Sequence, residues 1–178
     1  MKNNPKQTAL GCVVLLGLLF VCAVRATLAG RPSQPAKIDP SAPVQARVTI
    51  RAKEILKDNL VQVEMIAPVA ARIDYSLEPV FGDGDLVLRA ATNLQKLAPE
   101  AFALDGIEVL DLRAITEFRD IYGNSTRRPS VRFVVNRETA AKVNWPNVNV
   151  RNLGRILGTG VEVHPALRSA WAEFEAGR

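Results

Sequence analysis

Few side chains in this sequence stand at spacings that chemistry uses. His164 is the single histidine, so a Ser-His-Asp or histidine-metal mechanism would have to run through it. It directly precedes Pro165, where a helix is expected to start, and a polar residue there has a capping role available. Glu117 and Asp120 come nearest to a carboxylate pair. Their odd spacing sends them to opposite faces of a regular strand, which opposes a paired glycosidase use. In Gly82-Asp83-Gly84-Asp85 the two aspartates lack the ligand frame of a calcium loop and read as a turn, with Asp85 capping a helix from Leu86. Asn124-Ser125-Thr126 matches an N-glycosylation acceptor and equally suits a hairpin tip. The sequence has no phosphate-cradling glycine loop, no Gly-x-Ser-x-Gly turn and no zinc frame. The chain is therefore read as non-enzymatic, with no cofactor and no metal. The alternative is an enzyme whose site is assembled from Glu117, Asp120 and His164.

Binding chemistry is better represented. Residues 54–111 carry eleven acids against four bases, net −7; residues 112–155 carry nine bases against three acids, net +6. Such halves can neutralise each other across the fold. They can also leave a basic face around Arg119, Arg127, Arg128 and Arg132 that meets an acidic partner or an anionic membrane surface. The 142–152 stretch holds Lys142, Asn144, Trp145 and Arg151, with three further asparagines. It reads either as a polar ligand surface with one ring to stack, or as a loop whose asparagines satisfy backbone groups while Trp145 packs inward. These eight residues form the candidate partner or ligand surface. Aromatics are only 6% of the chain, and no nucleic-acid partner is expected.

The elements that must position these residues begin with an address. No residue from Gln7 to Val24 is charged; Lys2 and Lys6 precede this run and Arg25 ends it. Its apolar part, residues 9–24, lies between a signal-peptide core of about 7–15 residues and a full span of roughly 20. Residues 1–30 are read as an uncleaved anchor. A signal peptide cleaved after Thr27-Leu28-Ala29 is the competing reading. The short basic N-terminal tail places the rest outside the cytoplasm, as in a single-pass protein of a bacterial inner membrane with a periplasmic or extracellular domain. Residues 31–43 contain four prolines and form an extended linker. Both cysteines, Cys12 and Cys22, fall in the apolar segment, so residues 44–178 can form neither an internal disulfide nor a thiolate site.

Residues 44–178 are expected to fold as one α+β domain with an antiparallel sheet, a β-hairpin and several short helices, preceded by the N-terminal hydrophobic helix. A strand-like start near Val48 followed by a helix over 52–59, strands at 60–66 and 70–77, and a helix over 86–97 are expected first. A separate turn follows from Pro99. No βαβ rhythm and no internal repeat are evident. Residues 107–135 should form a hairpin with its tip near Gly123–Arg128, burying Val131, Phe133 and Val135 and turning Arg132 outward. Helices at 137–143, 151–157 and 165–176 and a short strand at 161–163 complete the expectation. Gly154 and Gly158 form a GxxxG pattern outside any apolar twenty-residue run. Together these features suggest a tethered protein that binds other envelope proteins, as an accessory subunit of a secretion, pilus or transfer assembly. An envelope ligand binder using the 142–152 loop is a further alternative.

Overall fold

The computed structural model describes residues 38–177. The expected anchor at 1–30 and most of the linker lie outside them. Among the described residues no helix is long and apolar enough to cross a membrane.

The domain is α+β, with helices packed on one face of a five-stranded mixed sheet of order β1-β2-β3-β4-β5. Helix α1 spans Val44–Leu56, where a strand followed by a helix was expected. Val48, Ala52 and Leu56 recur every four residues and all are buried, so the helical period prevails over the β-branched residues at its start. Strands β1 (Leu60–Ala67) and β2 (Ala70–Ser76) pair antiparallel. Helix α2 runs unbroken over Asp83–Phe102, through Pro99. Its buried stripe of Leu86, Val87, Ala90, Ala91, Leu94, Leu97, Ala98 and Ala101 is rich in alanine, which brings the helix close to the sheet. That packing carries the helix past a proline that would otherwise stop it. Asp85 lies inside the first turn, accepting from the Val80 N–H and the Arg89 guanidinium, rather than at the helix cap.

Helix α2 returns the chain to β3 (Val109–Arg119), which pairs parallel with β2. The sheet is thus mixed, with one βαβ crossover where an antiparallel sheet was expected. β3 and β4 (Ser125–Asn136) form the expected hairpin. Its turn is at 120–124, so Ser125–Arg128 belong to the return strand. Val131, Phe133 and Val135 are buried against the helices. Helices α3 (Arg137–Lys142) and α4 (Leu153–Leu157), strand β5 (Val161–Val163) and helix α5 (Arg168–Ala176) follow, with β5 antiparallel to β4.

The sheet's other face carries a charged network. Asp111 is 1% exposed and lies between Arg72 of β2, 2.8 Å away, and Arg132 of β4, 2.7 Å away. Arg72 also approaches Glu64 of β1 at 4.0 Å, and Arg132 pairs with Glu162 of β5 at 2.9 Å. Arg113 holds Asp74 through two nitrogens. The acidic and basic halves of the sequence therefore meet strand against strand. Burial pushes the Asp111 carboxyl upward, but hydrogen bonds from Arg132 and Arg72 outweigh it and hold the group below the usual aspartate value.

A local repeat, absent from the sequence reading, frames the sheet. After Ile55-Leu56 and after Ile156-Leu157 the chain makes the same turn. Lys57 has φ 53°, ψ −125° and Gly158 has φ 54°, ψ −118°; each is the first residue of one 3-10 turn that leads into an edge strand, β1 or β5. Glycine tolerates this left-handed region, whereas Lys57 is the one described non-glycine residue with positive φ. Gly154 serves close packing: a Cβ there would meet the Glu175 and Trp171 side chains of α5.

Candidate functional site

The far half of the β3–β4 hairpin leaves the sheet. β2 accompanies β3 only as far as Ile115, opposite Ser76, and β5 accompanies β4 only at Val131–Phe133. Beyond these positions a two-stranded arm projects, on which every residue from 117 to 129 is exposed except half-buried Phe118. Such a ribbon is marginal alone in water, and its root and tip are specially tied.

At the root, a register shift falls between Ala114 and Ile115. There the buried Thr116 hydroxyl donates to the Leu77 carbonyl at 2.6 Å and the buried Ser130 hydroxyl to the Ala114 carbonyl at 3.0 Å; the two oxygens lie 2.9 Å apart. On one flank the Phe118 ring stacks on His164 with centroids 4.0 Å apart. On the other, Arg127 donates to the Ser76 hydroxyl at 2.6 Å and lies 3.7 Å from Glu78. At the tip, Asp120 accepts from the backbone N–H groups of Tyr122 and Asn124 and from the Asn124 side chain. Those bonds, the Asn124 side chain first, hold its carboxyl below the usual range. Glu117 is likewise lowered, by Ser125 and then Arg119.

The tip presents apolar side chains to solvent. Ile121 is 91% exposed and Tyr122 83%. Because β2 runs parallel to β3, the loop after β2 emerges at the same end of the sheet, and there Phe81 is 89% and Val80 63% exposed. Arg127 connects this loop to the arm.

The eight candidate surface residues separate. Arg119, Arg127 and Arg128 are exposed on the arm. Arg132 faces away from the helices as expected, but is engaged by Asp111 and Glu162. Lys142, Asn144, Trp145 and Arg151 follow the other end of β4, whose twelve residues at about 3.3 Å each span roughly 40 Å. Lys142 pairs with Glu138 at 2.7 Å. Lys142, Asn144, Asn147 and Ile156 line an open groove of about 650 Å³. Trp145 is 6% exposed and donates from its indole nitrogen to the Ala140 carbonyl, so it offers no ring for stacking. Gln95 satisfies the carbonyls of Trp145 and Val148. Arg151 donates to the Phe174 carbonyl near the end of α5, with its guanidinium over the Phe174 ring.

Glu117, Asp120 and His164 do not converge. Asp120 is committed to its turn. Glu117 shares a strand face with Arg119, opposite the Phe118 ring on which His164 stacks, and the His164 Nδ1 accepts from the Ala166 N–H as a helix cap. Among the described residues no His, Cys, Asp and Glu cluster could hold a metal ion. No family model, curated protein or solved structure matches the chain.

Sequence reasoning found the arm's arginines but missed its apolar tip. Ile121-Tyr122 read only as the part of the hairpin leading into its tip. The missing signal was register: only knowing where β2 and β5 stop reveals which part of the hairpin is left without neighbours.

Proposed function

We propose that this chain is a membrane-tethered extracytoplasmic protein that works by binding other envelope proteins, and that the β3–β4 arm is its contact element. One observation carries the reading. Ile121 and Tyr122 at the arm tip and Val80 and Phe81 in the loop after β2 are all exposed at the same end of the sheet, with Arg119, Arg127 and Arg128 exposed along the arm. Aromatic and arginine side chains around an apolar centre are the composition of interaction hot spots. Val44, at the start of α1, packs beside Gly106, just before β3 begins, so the described chain enters the domain at the end opposite the tip. An accessory role in a secretion, pilus or transfer assembly suits a small tethered domain with an exposed contact element.

The experiment is co-isolation from detergent-solubilised membranes with the full chain. The account expects a recurrent set of envelope proteins with the natural chain and at least about a tenfold loss with Ile121→Ser/Tyr122→Ser, as for loss of a hot spot. Equal recovery with both chains would remove the arm from the interface.

A further inference from the structure

The two edges of the sheet are finished differently. β1 carries register shifts at both ends, between Leu60 and Gln62 and between Met65 and Ala67, and the Gln45 side chain donates to its Val63 carbonyl at 2.8 Å. Bulges, and side chains laid over the backbone, blunt an edge against further pairing. β5, at the opposite edge, pairs with β4 without a register shift over Val161–Val163 and has neither device. The ladder sets which of its groups face outward. The His164 N–H donates to the Ser130 carbonyl at 2.9 Å, and residues of an antiparallel pair alternate between facing the partner strand and facing away. Glu162 and His164 therefore face β4, while Val161 and Val163 turn their backbone groups outward. The Val161 N–H is taken by the Gly158 carbonyl. The Val161 carbonyl and both backbone groups of Val163 are left without a partner among the described residues.

Beside this open edge lies a groove of about 560 Å³. All three residues of β5 line it on one side. Arg168, Trp171 and Glu175, at i, i+3 and i+7 on one stripe of α5, line it on the other. Gly154 and Gly158 complete the lining with backbone alone. Val161 and Val163 pack toward the helices, whereas Glu162 points to the sheet's other face, where its side chain is paired with Arg132 yet 63% exposed. An unpaired strand edge with a helix stripe across a groove suits an extended peptide. Main-chain bonds hold such a peptide, and the groove selects alternate side chains.

We propose that an extended peptide segment of another protein, with apolar and basic residues in alternation, adds to the sheet beside β5. The residue opposite Val163 exchanges both backbone hydrogen bonds with it, so its side chain lies on the Val163 side, in the groove against the Trp171 ring. Its neighbours along the peptide point to the other face, opposite Glu162. Glu162 and Glu175 outnumber Arg168 around the groove, which favours basic residues there. The ladder is short, so the groove supplies the selection that three backbone groups cannot. This contact is separate from the arm and does not depend on the arm having a partner.

The test uses the full chain in detergent and the pentapeptide acetyl-Lys-Leu-Lys-Val-Lys-amide, followed by NMR and amide exchange. The peptide should give saturable shifts confined to residues 154–175. Exchange of the Val163 amide should slow on binding, while the amides of Glu162 and His164, already bonded to β4, stay as they were. Backbone N-methylation tells the two edges of the peptide apart. Methyl groups on the Leu and Val nitrogens, which face β5, should weaken binding at least about tenfold, and methyl groups on the Lys nitrogens should leave it unchanged. The peptide with Glu in place of Lys should bind about fivefold more weakly. Val163→Pro removes the outward donor at a position where an edge strand tolerates proline, and should abolish binding. Absence of saturable shifts, an equal effect of the two methylation patterns, or equal affinity of the Glu peptide would overturn the proposal. An arm variant such as Tyr122→Ser should bind the peptide normally, which separates this site's failure from that of the partner reading.

Discussion

A carboxylate as deeply buried as Asp111 is tolerated only because two guanidinium groups reach it, and removing its charge leaves Arg72 and Arg132 facing each other across β3. Asp111→Asn is expected to destabilise the domain by roughly 3 kcal/mol in urea unfolding, the cost of breaking a buried ion pair. The pH dependence has a definite sign. The folded-state value of Asp111 lies below its unfolded value of about 3.9, so its contribution is fully present above that pH and is lost as the pH falls through the lower folded value. Unfolding free energy measured from pH 6 to pH 2 should therefore fall more steeply below about pH 4 in the natural protein than in Asp111→Asn. Phe133, with no exposed surface, tests the apolar face: Phe133→Ala should cost about 3–5 kcal/mol. Lys57→Gly should do the reverse, stabilising the fold by about 1 kcal/mol through release of backbone strain. Arg137 is a residue the sequence reading passed over. Its guanidinium donates to the carbonyls of Phe102, Leu104 and Ile107, closing the end of α2.

At the scale of elements, the arm's order depends on its two ends. Asp120→Ala removes the acceptor that organises the turn, so backbone amides of 119–125 should exchange faster with deuterium while those of β3 and β4 within the sheet are unchanged. Thr116→Val would free the Leu77 carbonyl and loosen the root instead. The hairpin, its inward set Val131, Phe133 and Val135, and the outward direction of Arg132 were legible because alternation along a strand is a local signal. The parallel pairing of β2 with β3 was not, since nothing local distinguishes the return from a twenty-residue helix as parallel. Helix α1 was misread because Val48 and Ile50 resemble a strand until Ala52 and Leu56 complete the four-residue recurrence. The turn shared by Ile55-Leu56-Lys57 and Ile156-Leu157-Gly158 was hidden by the lysine, since no sequence rule expects a lysine in a glycine's conformation. At the candidate site the arginines were visible as charge, while the exposure of Ile121 and Tyr122 depends on where β2 and β5 stop.

On the scale of the whole molecule, the account joins a tether to a contact end. Full-length protein should sediment with membranes and resist high-salt extraction, and deletion of residues 1–30 should release it. A mature N-terminus found at Gly30 would replace the anchor with a cleaved signal peptide. A phosphatase fused after Arg178 should be active if the domain lies outside the cytoplasm. The central claim is that the arm tip touches another protein in the envelope, and photo-crosslinking in intact cells addresses it most directly. A photoreactive amino acid replaces Tyr122 at the tip or, in a second strain, exposed Lys53 on α1. The account expects discrete higher-mass adducts from position 122 that contain other envelope proteins, and none of these from position 53. The same adducts from both positions, or no adduct from position 122, would contradict it.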